Sequence, residues 1–180
     1  MDFLSLVHDR HTWTVRDYDT FIDQQSDDDQ DQRVRQHKLD PKVEYLYKAE
    51  GGRSEVIKKF RSHATEFGDV DLLLLVDFDN DGRSAFLTEL NDKLDEHYGG
   101  LLRVTANRVH QNIDMEFFNC DILNNGNIDH SFKLAAFKDD LEAATNIKKG
   151  EKRSQHRRKI WIYLEYCNRV YKDLRDFIYY

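Results

Sequence analysis

Three aspartates alternate at the end of an apolar run: Leu72-Leu73-Leu74-Leu75-Val76 leads directly into Asp77-Phe78-Asp79-Asn80-Asp81-Gly82. A short continuous apolar segment bounded by turn residues reads as a buried strand, parallel in its sheet and covered on both faces. Open α/β sheets place their chemistry at the carboxyl ends of such strands. Carboxylates crowded there repel one another and lose hydration unless a cation sits among them. Oxygen donors of this kind suit Mg²⁺, Mn²⁺ or Ca²⁺. The first expectation is therefore a divalent-metal site on Asp77, Asp79 and Asp81. A further carboxylate, Glu50, follows the strand-like segment 43–49 and precedes Gly51-Gly52. In a parallel sheet both strand ends share one edge, which would bring Glu50 to the same ion. Gly51 and Gly52 let the backbone bend sharply or approach a phosphate. Ser54 and the helix start behind it offer N–H groups to an anion.

The elements that must position these residues follow from pattern. Val43 to Ala49 is rich in β-formers and reads as a strand. Ser54 is the expected N-cap of a helix from Glu55 to about Phe67, with Val56, Ile57, Phe60, Ala64 and Phe67 on one face. After the strand ending at Val76, a second helix over about 83–97 turns Phe86, Leu87, Leu90 and Leu94 inward and stops at Gly99-Gly100. Leu101 to Ala106 reads as a third strand. This alternation predicts a compact α/β unit, a Rossmann-like parallel sheet flanked by helices. Beyond it, Met115 to Cys120 suggests a strand and Asn124-Asn125-Gly126-Asn127 a turn. Residues 131–145 read as helical, and 155–180 as one amphipathic helix with Ile160, Leu164, Cys167, Val170, Tyr171, Leu174 and Ile178 on a stripe. That stripe suits a homodimer or packing on the chain's own sheet. The division expected is an N-terminal extension with an Asp/Gln-rich linker (1–42), an α/β core (43–147) and a basic segment with a C-terminal helix (148–180).

Composition narrows the classes. The chain has 180 residues, 39% hydrophobic and 12% aromatic, enough for a core in one domain. With 34% charged residues and a mean hydropathy of −0.79, its surface is very polar. No window has the length of a membrane-spanning helix, and Leu4 to Val7 is too short for a signal peptide, so a cytoplasmic protein without membrane partners is expected. Cys120 and Cys167 lack metal-ligand spacing and read as buried free thiols. A net charge of −7 argues against broad non-specific nucleic-acid binding. The charge is uneven, however: Asp27-Asp28-Asp29 and Asp31 form an acidic arm, while Lys148, Lys149, Lys152, Arg153, Arg157, Arg158 and Lys159 form a basic stripe ahead of Trp161 and Tyr163. Such a stripe can follow a phosphate backbone with aromatics offered for stacking, or be a solvated helix start.

Glu50-Gly51 after a strand, with Ser54-Glu55 behind, then a strand ending in Asp77-Phe78-Asp79, resembles the Toprim domain of topoisomerases, bacterial-type primases and OLD-family nucleases. The resemblance covers roughly residues 43–106. It implies that Glu50 is the acid/base or metal-orienting glutamate and that Asp77 and Asp79 hold Mg²⁺ or Mn²⁺, with Asp81 in support. It also implies phosphoryl transfer on nucleic acid. A small nuclease, a hydrolase using water, fits the length best; a degenerate relative that only binds is the alternative. Gly51, Gly52, Ser54, Lys58, Lys149, Arg153, Arg157 and Arg158 are the candidate phosphate contacts.

Other readings compete. Asp77-x-Asp79-x-Asp81-Gly82 matches the first half of an EF-hand loop, but Thr88 stands where the bidentate glutamate belongs; a second half-match begins at Asp121 and ends on Phe132. A PIN- or NYN-like ribonuclease would place Asp77 and Asn80 in its first motif. An interaction module built on the basic segment and the last helix needs no chemistry at all.

Overall fold

The computed structural model describes residues 14–17, 43–47, 52–65 and 72–179. The chain divides into two compact units, Met1–Glu50 and Gly51–Tyr180. In the first, strand β1 (Thr14–Asp17) pairs in parallel with β2 (Val43–Tyr47) as a two-stranded sheet. The Asp/Gln-rich linker expected between them lies outside the described residues.

The second unit runs α1 (Arg53–His63), β3 (Leu73–Asp77), α2 (Gly82–Tyr98), β4 (Leu102–Gln111), β5 (Met115–Asn124), β6 (Asn127–Phe137), α3 (Leu141–Thr145), α4 (Arg153–Tyr166) and α5 (Asn168–Tyr179). Its four strands form an open sheet in the order β3-β6-β5-β4. The fold is α/β, but the sheet is mixed rather than parallel: β3 pairs in parallel with β6, while β6–β5 and β5–β4 are antiparallel. The expected strand over 43–49 pairs with β1 and is no member of this sheet. β3 occupies an edge, so Leu73, Leu74 and Leu75 are only half-buried where full cover was expected.

Strand alternation builds two cores. Val76, Val104, Phe118, Cys120, Phe132, Leu134 and Ala136 face one way and meet Ile57 and Phe60 of α1 and Phe86, Leu90 and Leu94 of α2. Asn91 of α2 ties this layer to β4, accepting from the Val104 N–H at 2.7 Å and donating to the Val104 carbonyl at 3.0 Å. On the opposite face Phe117 meets Phe177 of α5 with ring centroids 5.1 Å apart. Lys133 donates to the Phe177 carbonyl at 2.8 Å. Tyr163 of α4 donates to Asp114 at 2.6 Å.

Two helical expectations are corrected. Residues 131–137 belong to β6, because Phe132, Leu134 and Ala136 alternate into the first core while Ala135 and Phe137 bury on the second face. Burial on both faces overrides the helix propensity of Ala135-Ala136. Only α3 is helical, started by Asp140, whose side chain accepts from the Ala143 N–H. The C-terminal stretch is two helices broken at Cys167, whose φ of −94° and ψ of 52° are not helical. The stripe Ile160, Leu164, Val170, Tyr171 and Leu174 is buried within the chain. Cys120 is buried and its thiol is pushed up to about 12 by that burial; Cys167 is only partly buried.

Candidate functional site

β3, β6 and β4 point the same way, so Asp77, Phe137 and Gln111 end at one edge of the sheet. The turn after β3 continues the ladder past the strand. Phe78 N–H donates to the Phe137 carbonyl at 2.9 Å, and Asp79 N–H donates to the Asp139 carbonyl at 3.0 Å. Asp79 (φ 51°) and Asn80 (φ 64°) are left-handed, a conformation that Asp and Asn tolerate better than other side chains, and Gly82 completes the turn at φ 76°. The acidic turn is thus held against the loop leading into α3.

That loop supplies carboxylates absent from the sequence expectation. Asp77 accepts from the Leu141 N–H at 3.2 Å. Its carboxyl is pushed up from 3.8 to about 6, chiefly by burial, then by the negative charges of Glu142, Asp79 and Asp140, against the lowering effect of the Leu141 bond. Asp139-Asp140 directly before the helix-forming Leu141 was the signal available, since an aspartate in that position is a ready N-cap.

The neighbouring side of the turn is basic. Arg53, the first residue of α1, lies almost buried at the turn. Its guanidinium is 2.7 Å from the Glu89 carboxylate and 3.5 Å from that of Asp81, donates to the Phe78 carbonyl at 3.4 Å, and lies over the Phe86 ring. Asp81 is therefore turned toward α1 and α2, while Asp77 faces α3. A cleft of about 440 Å³ opens beside the turn, lined by Phe78, Asp81, Gly82, Arg83, Ser84, Arg108, Glu116 and Lys138.

Asp77 feels the charges of Glu142, Asp79 and Asp140 through space. Among the described residues no three His, Cys, Asp or Glu side chains converge closely enough to hold a metal ion. Glu50 and Gly51, expected to complete the site, lie outside the described residues. Gly52, not Ser54, is the N-cap of α1, at φ 125°. Ser54 is exposed in the first turn, and Lys58, also exposed, pairs with Glu55 at 3.6 Å. Lys149 lies exposed in the loop before α4, and Arg157 and Arg158 are exposed on α4; the Arg153 side chain is outside the described residues. Of the two aromatics offered for stacking, Trp161 is exposed, whereas Tyr163 is buried on Asp114.

The strand at Leu73–Asp77 removes the helix that an EF-hand needs before its loop, and the half-match from Asp121 to Phe132 spans the β5–β6 hairpin. None of the helices described is long and apolar enough to cross a membrane. No protein-family model matches the chain, and neither a curated protein nor a solved structure shows significant similarity to it.

Proposed function

We propose that the chain is a Mg²⁺- or Mn²⁺-dependent phosphoryl-transfer protein acting on nucleic acid, a small Toprim-type nuclease of the cytoplasm. The observation that supports this most is the state of Asp77. A half-buried carboxylate that feels the negative charges of Glu142, Asp79 and Asp140 is destabilised by burial and like charge, and a hard divalent cation would relieve both. The donors there are all oxygen, which is the chemistry Mg²⁺ and Mn²⁺ select. Asp77 and Asp79 would hold the ion, with Glu50 and Asp81 as the remaining acids of the motif. A cation there would supply charge neutralisation for phosphoryl oxygens. With its carboxyl at about 6, Asp77 is ionised at pH 7 and available as a ligand. Exposed Arg157, Arg158 and Trp161 on α4 offer a second surface for a strand.

The test is cleavage of end-labelled single- and double-stranded DNA and RNA with Mn²⁺ or Mg²⁺, comparing wild type with Asp77→Ala/Asp79→Ala. Metal-dependent cleavage that disappears in the double variant supports the proposal. Identical behaviour of the two proteins on every substrate would sink it and leave a binding module.

A further inference from the structure

The cleft beside the acidic turn carries three cations from three separate elements: Arg83 on the first turn of α2, Arg108 on β4 and Lys138 just past β6. Two carboxylates, Asp81 and Glu116, share the lining. Arg108 holds Glu116 at 3.0 Å and also donates to the Gln111 side-chain oxygen at 3.0 Å. Asp81 lies 3.5 Å from Arg53, which is shared with Glu89 at 2.7 Å, so its charge is only partly offset. Among the described residues no carboxylate forms an ion pair with Arg83 or Lys138. Lys138 donates to the Asn112 carbonyl at 2.6 Å, an uncharged acceptor that leaves its other N–H donors available. The Arg83 guanidinium carbon lies 5.7 Å from the Phe118 ring centroid, a cation–π contact that leaves its charge in place. The lining thus carries three cations against two carboxylates, with Arg83 and Lys138 outside any ion pair among the described residues, around an open cleft of about 440 Å³.

We infer that this cleft seats a phosphodiester group of a nucleic-acid strand, held by Arg83 and Lys138 and bordered by the Arg108–Glu116 pair. The inference rests on the proposed function for the identity of the strand. The cations alone call for a phosphate-like anion, which Arg binds as a fork and Lys as a point charge. Location supplies the rest. The cleft lies at the same sheet edge as Asp77 and Asp79 and is entered beside the Phe78–Gly82 turn. A strand with one phosphate at the carboxylates would then rest another between Arg83 and Lys138.

Binding is measured without cleavage, in EDTA, by fluorescence anisotropy of a labelled 12-nucleotide single strand of DNA or RNA across 50–200 mM salt. In parallel, thermal unfolding is followed with and without inorganic pyrophosphate. Arg83→Gln and Lys138→Gln are each expected to weaken strand binding about fivefold at the lowest salt and to flatten the salt slope by about 0.7, the value for one phosphate contact on a single strand. Arg83→Lys, which restores the charge, recovers part of the loss. Lys93→Gln, whose lysine pairs with Glu96 farther along α2, serves as the unchanged control. All variants must unfold at the wild-type temperature without ligand. Wild-type binding that neither Gln variant weakens overturns the cleft while leaving a nucleic-acid protein. Pyrophosphate stabilisation lost in the variants, without strand binding by the wild type, overturns the phosphodiester and leaves a small-anion pocket. No response to either probe overturns the cleft altogether.

Discussion

Replacing Asp77 by Asn should make the metal-free protein more stable at neutral pH. The carboxyl is raised from 3.8 to about 6, first by burial and then by Glu142, Asp79 and Asp140. A group whose folded value lies above its unfolded value binds its proton more tightly in the fold, so unfolding releases it. Its contribution to stability is fully present below about 3.8 and is lost as pH rises through about 6. The full interval corresponds to about 3 kcal/mol at 1.36 kcal/mol per pH unit. The carboxyl keeps part of its surface in water, and screening lowers the expectation to about 1–2 kcal/mol. Asparagine retains an oxygen able to accept from the Leu141 N–H, so the cap on α3 is kept while the charge is removed. Urea unfolding in EDTA at pH 4.5 and pH 7.5 reads the effect. The gain from Asp77→Asn should be small at the lower pH and reach about 1–2 kcal/mol at the higher. Added Mg²⁺ should stabilise the wild type and leave the variant unchanged. A variant less stable than the wild type at pH 7.5, or a difference independent of pH, would refute the reasoning that like charge and burial strain this carboxylate.

Other consequences test the frame around the site. Tyr163→Phe leaves the Asp114 carboxylate without its 2.6 Å donor and should cost about 1–3 kcal/mol in denaturant unfolding; burial and Asp114 both push the Tyr163 hydroxyl upward, so it remains a donor up to high pH. Asn91→Ala removes both side-chain bonds to Val104 and should lower the melting temperature through a loss of about 1–3 kcal/mol. Leu90→Ala, at a fully buried position between α2 and the sheet, should cost about 2–5 kcal/mol in the same experiment. Burial pushes the Asp173 carboxyl upward, but Asn112, His110 and Arg169 outweigh it and hold the group below 3.8. Its stabilisation is therefore present above the ordinary carboxylate value and lost as pH falls through the lowered one. Asp173→Asn should flatten that acid limb of the stability profile.

The parts of this molecule that were legible in the sequence are those written locally. The run Leu72–Val76 with its acidic turn became β3 and a left-handed Asp79-Asn80 corner. Phe86, Leu90 and Leu94 at helical spacing became the buried side of α2, and Gly99 stops that helix at φ 61°. Asn125-Gly126 closed the β5–β6 hairpin. Pairing is a non-local property, and there local pattern misled. Nothing in Val43–Tyr47 says that it pairs with Thr14–Asp17. The alanines of 131–137 favour a helix until both faces of the sheet claim them. The amphipathic stripe passes smoothly through Cys167 although the backbone breaks there. Within the site, Asp77 and Asp79 were legible as a pair. Asp140 and Glu142 reach Asp77 only because β6 lies against β3. Arg83, Arg108 and Lys138 are equally scattered along the chain, and only the order β3-β6-β5-β4 and the placement of α2 gather them into one cleft.

Whether the carboxylates after β3 hold a divalent cation is read by titrating Mn²⁺ into the full chain and following free Mn²⁺ by electron paramagnetic resonance. Saturable binding is expected, displaced by Mg²⁺ and abolished by Asp77→Ala/Asp79→Ala in a protein still folded. Absence of saturable binding at millimolar Mn²⁺, or binding undiminished in the double variant, would contradict it.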